Sequence, residues 1–228
     1  IYDRFRGRVI FPIHNVTGKA IAYGARILAS DAAKNQPKYL NSPETELYSK
    51  GQVLYGLFQS KQHIRQKDNC YLVEGYTDVI SLHQVGVNNV VSSSGTALTE
   101  DQVKLMRRYT QNVTVLYDGD AAGIRASFRG IDILLEGGLN VRAVSFPDGE
   151  DPDSYSRKLG ATAFTHFLNE KVVDFIKFKT SLLIDNVKND PIKKAGVVRE
   201  IVESISKIND AIKRSVYLKE CSDLLKIS

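Results

Sequence analysis

The chain has 228 residues, 43% hydrophobic and 25% charged, ordinary proportions for a globular fold with a buried core and unlike those of a disordered tail. No apolar run is long enough to span a bilayer. The two cysteines, Cys70 and Cys221, form no CxxC or Cys/His cluster, which argues against a disulfide framework or a zinc site within the chain and for a reducing, cytoplasmic setting without a membrane.

The net charge of +5 is unevenly placed: residues 1–66 hold 10 Lys/Arg against 4 Asp/Glu, and residues 67–228 hold 21 against 22. A basic flank of this kind suits a polyanion, although a plain solvated surface carries the same charge. Ile1 stands inside what reads as a motif, so the chain is expected to be a piece of something longer.

Tyr2 to Ile13 (YDRFRGRVIFPI) alternates with period two. The pattern predicts a strand with Arg4, Arg6 and Arg8 on one face and Phe5, Val9, Phe11 and Ile13 on the other. Alone, such a strand is a charged edge; beside other basic features, it can meet successive phosphates. Ala20 to Leu28, with Arg26, reads as a second strand paired through a turn at Asn15–Gly18. A loop rich in Ser, Asp, Lys and Asn follows, then the irregular segment PKYLNSPET. Its Lys38 and Asn41 suit a phosphate and a polar sugar or base edge, or are ordinary loop residues.

Ser49 to Gln66 has near-helical apolar spacing. Beyond it strands and helices alternate. Strands are expected at Tyr71–Val73, Val90–Ser92, Val113–Tyr117 and Val141–Phe146. Helices are expected at Val79–Val85, after a Thr99/Gln102 capping box, and at Ala121–Glu136. This is an α/β fold with a parallel sheet and helices on its faces. After Gly160 only helices are read, at Ala163–Asn169, Val172–Lys188, Ile192–Lys207 and Ala211–Leu225. The third carries a stripe of Ile192, Ala195, Val198, Val202, Ile205 and Ile208. Together they suggest a helical bundle.

Carboxylates gather at the ends of two expected strands: Glu74 in VEGYTD, and Asp118 and Asp120 in YDGD. Asp78, Asp151 and Asp153 lie nearby in sequence or motif. Asp78, Asp120, Asp151 and Asp153 each have an alternative as helix caps or first-turn residues; Glu74 and Asp118 fit that role poorly. Loops at the carboxyl ends of parallel strands converge on one crevice. Clustered carboxylates there call for a hard cation such as Mg²⁺.

Glu74-Gly75 after one strand and Asp118-x-Asp120 after another resemble the TOPRIM fold of topoisomerases, primases and certain nucleases. YDRFRGRVIFPI, PKYLNSPET, KGQVLYGL, VEGYTDVI, SSGTALT, YDGDAAG and PDGEDPDS together resemble the catalytic core of DnaG-type bacterial DNA primases, from Tyr2 to about Gly160. The resemblance implies a TOPRIM-type parallel sheet with flanking helices over residues 67–160. A small basic β-containing segment (1–66) would precede it and a helical bundle (161–228) would follow. It further implies nucleotidyl transfer that makes short RNA primers from NTPs on single-stranded DNA.

Glu74, Asp118 and Asp120 would be the catalytic residues and metal ligands, with Asp78, Asp151 and Asp153 completing the metal site. The metal would be Mg²⁺, or Mn²⁺ in its place. Arg4, Arg6, Arg26, Lys38 and Asn41 match nucleotide- or DNA-binding positions. The family's zinc is expected only in a missing N-terminal module, and contact with the replicative helicase only through a missing C-terminal domain. The expected location is the cytoplasmic replication fork. A pocket for Mg²⁺-triphosphate would also admit alarmones of the guanosine tetraphosphate type. A TOPRIM nuclease or topoisomerase fragment, or a catalytically silent replisome module, are the alternatives. PKYLNSPET argues against the first and the complete carboxylate set against the second.

Overall fold

The computed structural model of the chain describes residues 3–28, 37–95, 97–184 and 190–225, with backbone alone at 121–123 and 125–127. The polar loop expected after Leu28, Thr96 of the Ser-Gly-Thr run, and the end of the helix expected to reach Lys188 lie outside the described residues.

Strands β1 (Arg8–His14), β2 (Ala20–Ile27) and β3 (Tyr39–Asn41) form an antiparallel sheet in that order. Asn15 builds the β1–β2 turn: its Oδ1 accepts from the N–H groups of Thr17 and Lys19, both at 3.0 Å. The expected strand from Tyr2 is cut short. Gly7 takes φ +70°, and Arg8 N–H turns back to Phe5 O at 3.2 Å. That left-handed step ends the alternation, so Arg4 and Arg6 sit in turns and share no strand face with Arg8.

The helix expected over Ser49–Gln66 is divided into a 3-10 turn (Lys50–Gln52) and α1 (Leu57–Lys67). Gly56 between them has φ +82°. Tyr55 is extended, exchanging N–H···O bonds of 2.9 and 3.1 Å with Ser92.

The main sheet comprises β4 (Cys70–Val73), β5 (Val90–Ser92), β6 (Asn112–Tyr117), β7 (Asn140–Ser145) and β8 (Val173–Asp174), in the order β5-β4-β6-β7-β8. The first four are mutually parallel and β8 is antiparallel to β7. Helices α2 (Tyr76–Gln84), α3 (Glu100–Arg107) and α4 (Ala121–Glu136) make the crossovers, and α5 (Pro152–Lys171) follows β7.

Val113 to Tyr117 are buried without a break, as a parallel strand covered on both faces requires. Val113, Val115 and Tyr117 share a core with Met106 of α3 and Phe128 and Ile131 of α4. Leu116 turns to the other face, where Val79 and Leu82 of α2 meet Phe164 and Leu168 of α5. Each such side chain contributes about 1.5–3 kcal/mol by burial.

The expected caps are present. Thr99 Oγ1 accepts from Gln102 N–H, and Gln102 Oε1 accepts from Thr99 N–H, each at 3.2 Å. Asp151 caps α5, with Pro152 in the first turn. Gly160, at φ 72°, breaks α5, so the segment expected at Ala163–Asn169 is its second half.

The bundle consists of α6 (Phe175–Ile184), α7 (Pro191–Ser206) and α8 (Ala211–Leu225). The helix expected from Val172 starts later because Val173–Asp174 extends as β8 and Asp174 Oδ1 caps Ile176 N–H at 2.9 Å. Helix α7 buries Val197, Ile201, Ser204 and Ile205. Ile192 and Val202 of the expected stripe are 84% and 44% exposed. A buried cation decides that rotation. Lys179 of α6 donates to Ser204 Oγ at 2.9 Å and pairs with Glu200 at 3.1 Å. Ser204 in turn donates to Asp132 of α4 at 2.7 Å, fastening the bundle to the sheet layer.

Candidate functional site

The two strand ends place Glu74 directly after β4 and Asp118 directly after β6, on adjacent parallel strands. Gly119 allows the next turn. A Cβ on it would lie 2.0 Å from Pro147 O, and its N–H donates to Glu150 O at 2.9 Å. The Asp118–Asp120 loop is thus pressed against the loop that leads into Asp151. Asp78, in the first turn of α2, accepts from Gly75 N–H at 2.9 Å.

The acids feel one another. Burial raises Asp78 to about 7, with Asp118, Asp151 and Asp153 adding to the rise and the Gly75 hydrogen bond opposing it. Asp118 is raised to about 6 by burial and then by Glu74, Asp151 and Asp120. All six predicted carboxylates therefore belong to one electrostatic cluster.

They are not equivalent. Asp151 Oδ1 accepts from Ser154 N–H at 2.6 Å as a cap. Asp153 accepts from Ser81 Oγ and pairs with Arg157 Nη2 at 2.7 Å. Glu74 and Asp120 are exposed. As the side chains stand, no group of three or more His, Cys, Asp or Glu among the described residues is gathered to hold a metal. The donor chemistry nevertheless fits a divalent cation: hard oxygens only, at strand ends, two of them held against ionisation by burial and repulsion.

The basic residues divide into two groups. Arg26 of β2 and Lys38 beside β3 lie 5.7 and 6.0 Å from the Tyr39 ring centroid. Arg26 and Asp153 line a common cleft of about 460 Å³ together with Phe11, Ile80 and Arg157. Asn41 is joined to α2 by the Tyr76 phenol, which donates to Asn41 Oδ1 at 2.8 Å. Arg8 Nη1 donates to Pro37 O at 2.9 Å, bracing the approach to Lys38. Arg4 and Arg6 are exposed in the turns before β1 and are not brought to the acids by any contact among the described residues.

A basic antiparallel sheet packed beside a carboxylate-edged parallel sheet has counterparts of known structure. A DNA primase domain from Pseudomonas aeruginosa superimposes with a TM-score of 0.86 at 36% identity, covering 100% of this chain and 71% of that one. The chain belongs to the DnaG-type bacterial DNA primases. A structure described as the DnaG catalytic core matches with a TM-score of 0.84 at 37% identity, over 99% of this chain and 73% of that one. A DnaG primase catalytic domain bound to single-stranded DNA matches at 0.84 and 36% identity, over 97% and 71%.

Among curated relatives, the DNA primase of Clostridium acetobutylicum is 46% identical over 98% of this chain, and that of Halalkalibacterium halodurans is 41% identical over 100%. The chain spans 36% and 37% of their lengths. Family models match in sequence: "DNA primase catalytic core, N-terminal domain" at residues 1–61, "Toprim-like" at 71–156, and "DnaB-helicase binding domain of primase" at 181–228. The last covers α7 and α8, so the helicase-binding segment expected only in a missing C-terminal domain has its family match within this chain.

Four residues around the candidate site were not legible in the sequence. Tyr39 and Tyr76 join the two sheets, and Ser81 and Arg157 hold Asp153. An aromatic between Lys38 and Asn41 was a usable signal for Tyr39. The other three depend on contacts between segments far apart in the chain.

Proposed function

We propose that this chain is the catalytic part of a primase that joins ribonucleotides into short primers on a single-stranded DNA template. The observation that carries the reading is the pairing of opposites. Glu74, Asp118 and Asp120 edge the parallel sheet, and Arg26, Lys38 and Asn41 are carried by the basic sheet packed against α2.

Glu74, Asp118 and Asp120 would hold divalent cations, with Asp78 behind them; Asp151 and Asp153 mainly shape the pocket from α5. Mg²⁺ suits the donor set, with Mn²⁺ as a substitute. When bound, such ions neutralise triphosphate charge and lower the pKa of the primer 3′-hydroxyl. The side chains do the remaining work by position. Lys38 and Arg26 hold the triphosphate, and Tyr39 keeps both cations from swinging into solvent. Arg4 and Arg6, exposed at the rim, contact template phosphates and so contribute salt-dependent affinity. A related DnaG primase catalytic domain has been seen bound to single-stranded DNA, which supports a DNA-binding role. Helices α7 and α8 are the proposed contact with the replicative helicase, which would place the protein at the bacterial replication fork; the family match over 181–228 supports this.

The test is incorporation of labelled NTPs on a single-stranded template by the full-length protein with Mg²⁺ or Mn²⁺. Glu74→Gln and Asp118→Asn should each cost at least about 100-fold in rate, the scale expected when charge stabilisation at a reacting centre is lost. Wild-type rates in both variants would refute the assignment. Template cutting without NTPs would favour a nuclease.

A further inference from the structure

Tyr76 is the second residue after Glu74 and the first of α2, yet its side chain belongs to the other sheet. It is 3% exposed. Its ring stacks on Phe11 of β1 at 5.1 Å and 8°. It rests on β2, where a Cβ on Gly24 would come within 2.6 Å of the ring. It lies 6.4 Å from Tyr39 of β3 and meets Tyr55 edge-on at 4.6 Å. One side chain next to the acid cluster thus touches all three strands of the basic sheet.

The phenol adds direction to this packing. It donates to Asn41 Oδ1 at 2.8 Å, and Ser94 lies beside the same phenol. Ser94 is held at φ +58° beside Ser92, whose Oγ donates to Glu74 O at 3.0 Å. The bond holds the Asn41 amide with its oxygen toward the phenol and its NH₂ turned the other way, and those N–H donors have no partner among the described residues. A chain of contacts therefore links the backbone of Glu74 to the orientation of Asn41.

We propose that Tyr76 is a positioning residue for the nucleotide: it sets β3 relative to Glu74 and turns the Asn41 amide N–H groups toward an acceptor oxygen of the bound nucleoside triphosphate. This rests on the primer-synthesis reading above. It assigns Tyr76 no contact with the reacting atoms. Its effect is transmitted through Asn41 and, by way of Tyr39, through Arg26 and Lys38.

The experiment measures kcat and KM for NTP in the full-length primase at saturating template, with template affinity and thermal unfolding followed in parallel. Tyr76→Phe keeps the ring and removes the donor. It should raise KM about five- to ten-fold, the worth of one oriented hydrogen bond, with kcat within about two-fold and template affinity unchanged. Asn41→Ala should raise KM similarly, and the double variant should be no worse than Asn41→Ala alone, since the two act in series. Gly24→Ala, which displaces the ring, should also raise KM.

A wild-type KM in Tyr76→Phe, or multiplied effects in the double variant, would overturn the proposal. So would loss of kcat and thermal stability with KM unchanged, which marks a purely structural tyrosine. Absence of primer synthesis in the wild-type protein would instead overturn the primer-synthesis reading.

Discussion

Gly119→Ala makes a demanding test of how the acid cluster is held together. Gly119 lacks the positive φ that marks several other glycines of the chain, so the objection to alanine is one of space. The added Cβ would lie 2.0 Å from Pro147 O and 2.5 Å from its carbonyl carbon, where ordinary contact begins at 3.4 Å. Both are backbone atoms, and no rotamer change relieves them. The loop of Asp118 and Asp120 must part from the loop of Asp151 by about 1.4 Å, breaking the 2.9 Å bond from Gly119 N–H to Glu150 O.

Overpacking of this kind costs about 1–3 kcal/mol in stability. The larger effect should be on chemistry, because a displacement of about 1 Å at a reacting centre costs on the order of 100-fold. Primer synthesis by Gly119→Ala should fall by about that factor while the protein stays folded by thermal unfolding and circular dichroism. A variant with wild-type kcat would show that the two loops need not touch for the acids to work.

Two further predictions concern buried charge. Asp78, raised to about 7, titrates near 4 in an unfolded chain. Its folded form therefore holds a proton that the unfolded form has lost between about pH 4 and pH 7, and the metal-free protein should lose stability as pH rises through that window. Asp78→Asn should flatten this slope and stabilise the metal-free protein at pH 8 by about 1–2 kcal/mol, allowing for partial solvent screening. Urea unfolding in chelator at pH 5 and pH 8 checks it, and identical slopes in both proteins would refute it. In the bundle, Lys179→Ala should cost about 3 kcal/mol, since it opens space beside Phe128 and strips a donor from Ser204. Lys179→Met, which keeps the stem, should cost about 1 kcal/mol. Equal losses in urea unfolding would mean that packing contributes nothing at that position.

The parallel sheet was legible because strands buried on both faces are continuous apolar runs, as at Val113–Tyr117, and because Thr99/Gln102 and Asp151-Pro152 mark their helix starts locally. What stayed hidden was decided by distant contacts. Gly7 and Gly56 gave no sign within their own segments that they would take positive φ and hold back the starts of β1 to Arg8 and of α1 to Leu57. Helix α7 has apolar residues on more than one face, so the choice of Val197 and Ile201 over Ile192 and Val202 depended on Lys179 reaching Ser204. The short strand β8 exists only because β7 offers it an edge.

In the candidate site Glu74, Asp118 and Asp120 could be placed from strand ends alone, and the coupling of Glu74 with Asp118 follows from the adjacency of β4 and β6. The partition among them could not. Asp153 is held by Ser81 and Arg157, and Asp151 by Ser154, through contacts visible only in three dimensions. Tyr76 stood inside a quoted motif, but its role depends on Gly24, Phe11 and Asn41.

The central claim is that Glu74, Asp118 and Asp120 hold the cations on which the nucleotide is assembled. Anomalous scattering from crystals of the protein soaked with Mn²⁺ and an NTP tests it most directly. The expected result is Mn²⁺ against those three carboxylates, with the triphosphate reaching toward Lys38 and Arg26. Mn²⁺ bound elsewhere, with the three carboxylates free of metal in the presence of nucleotide, would contradict the account.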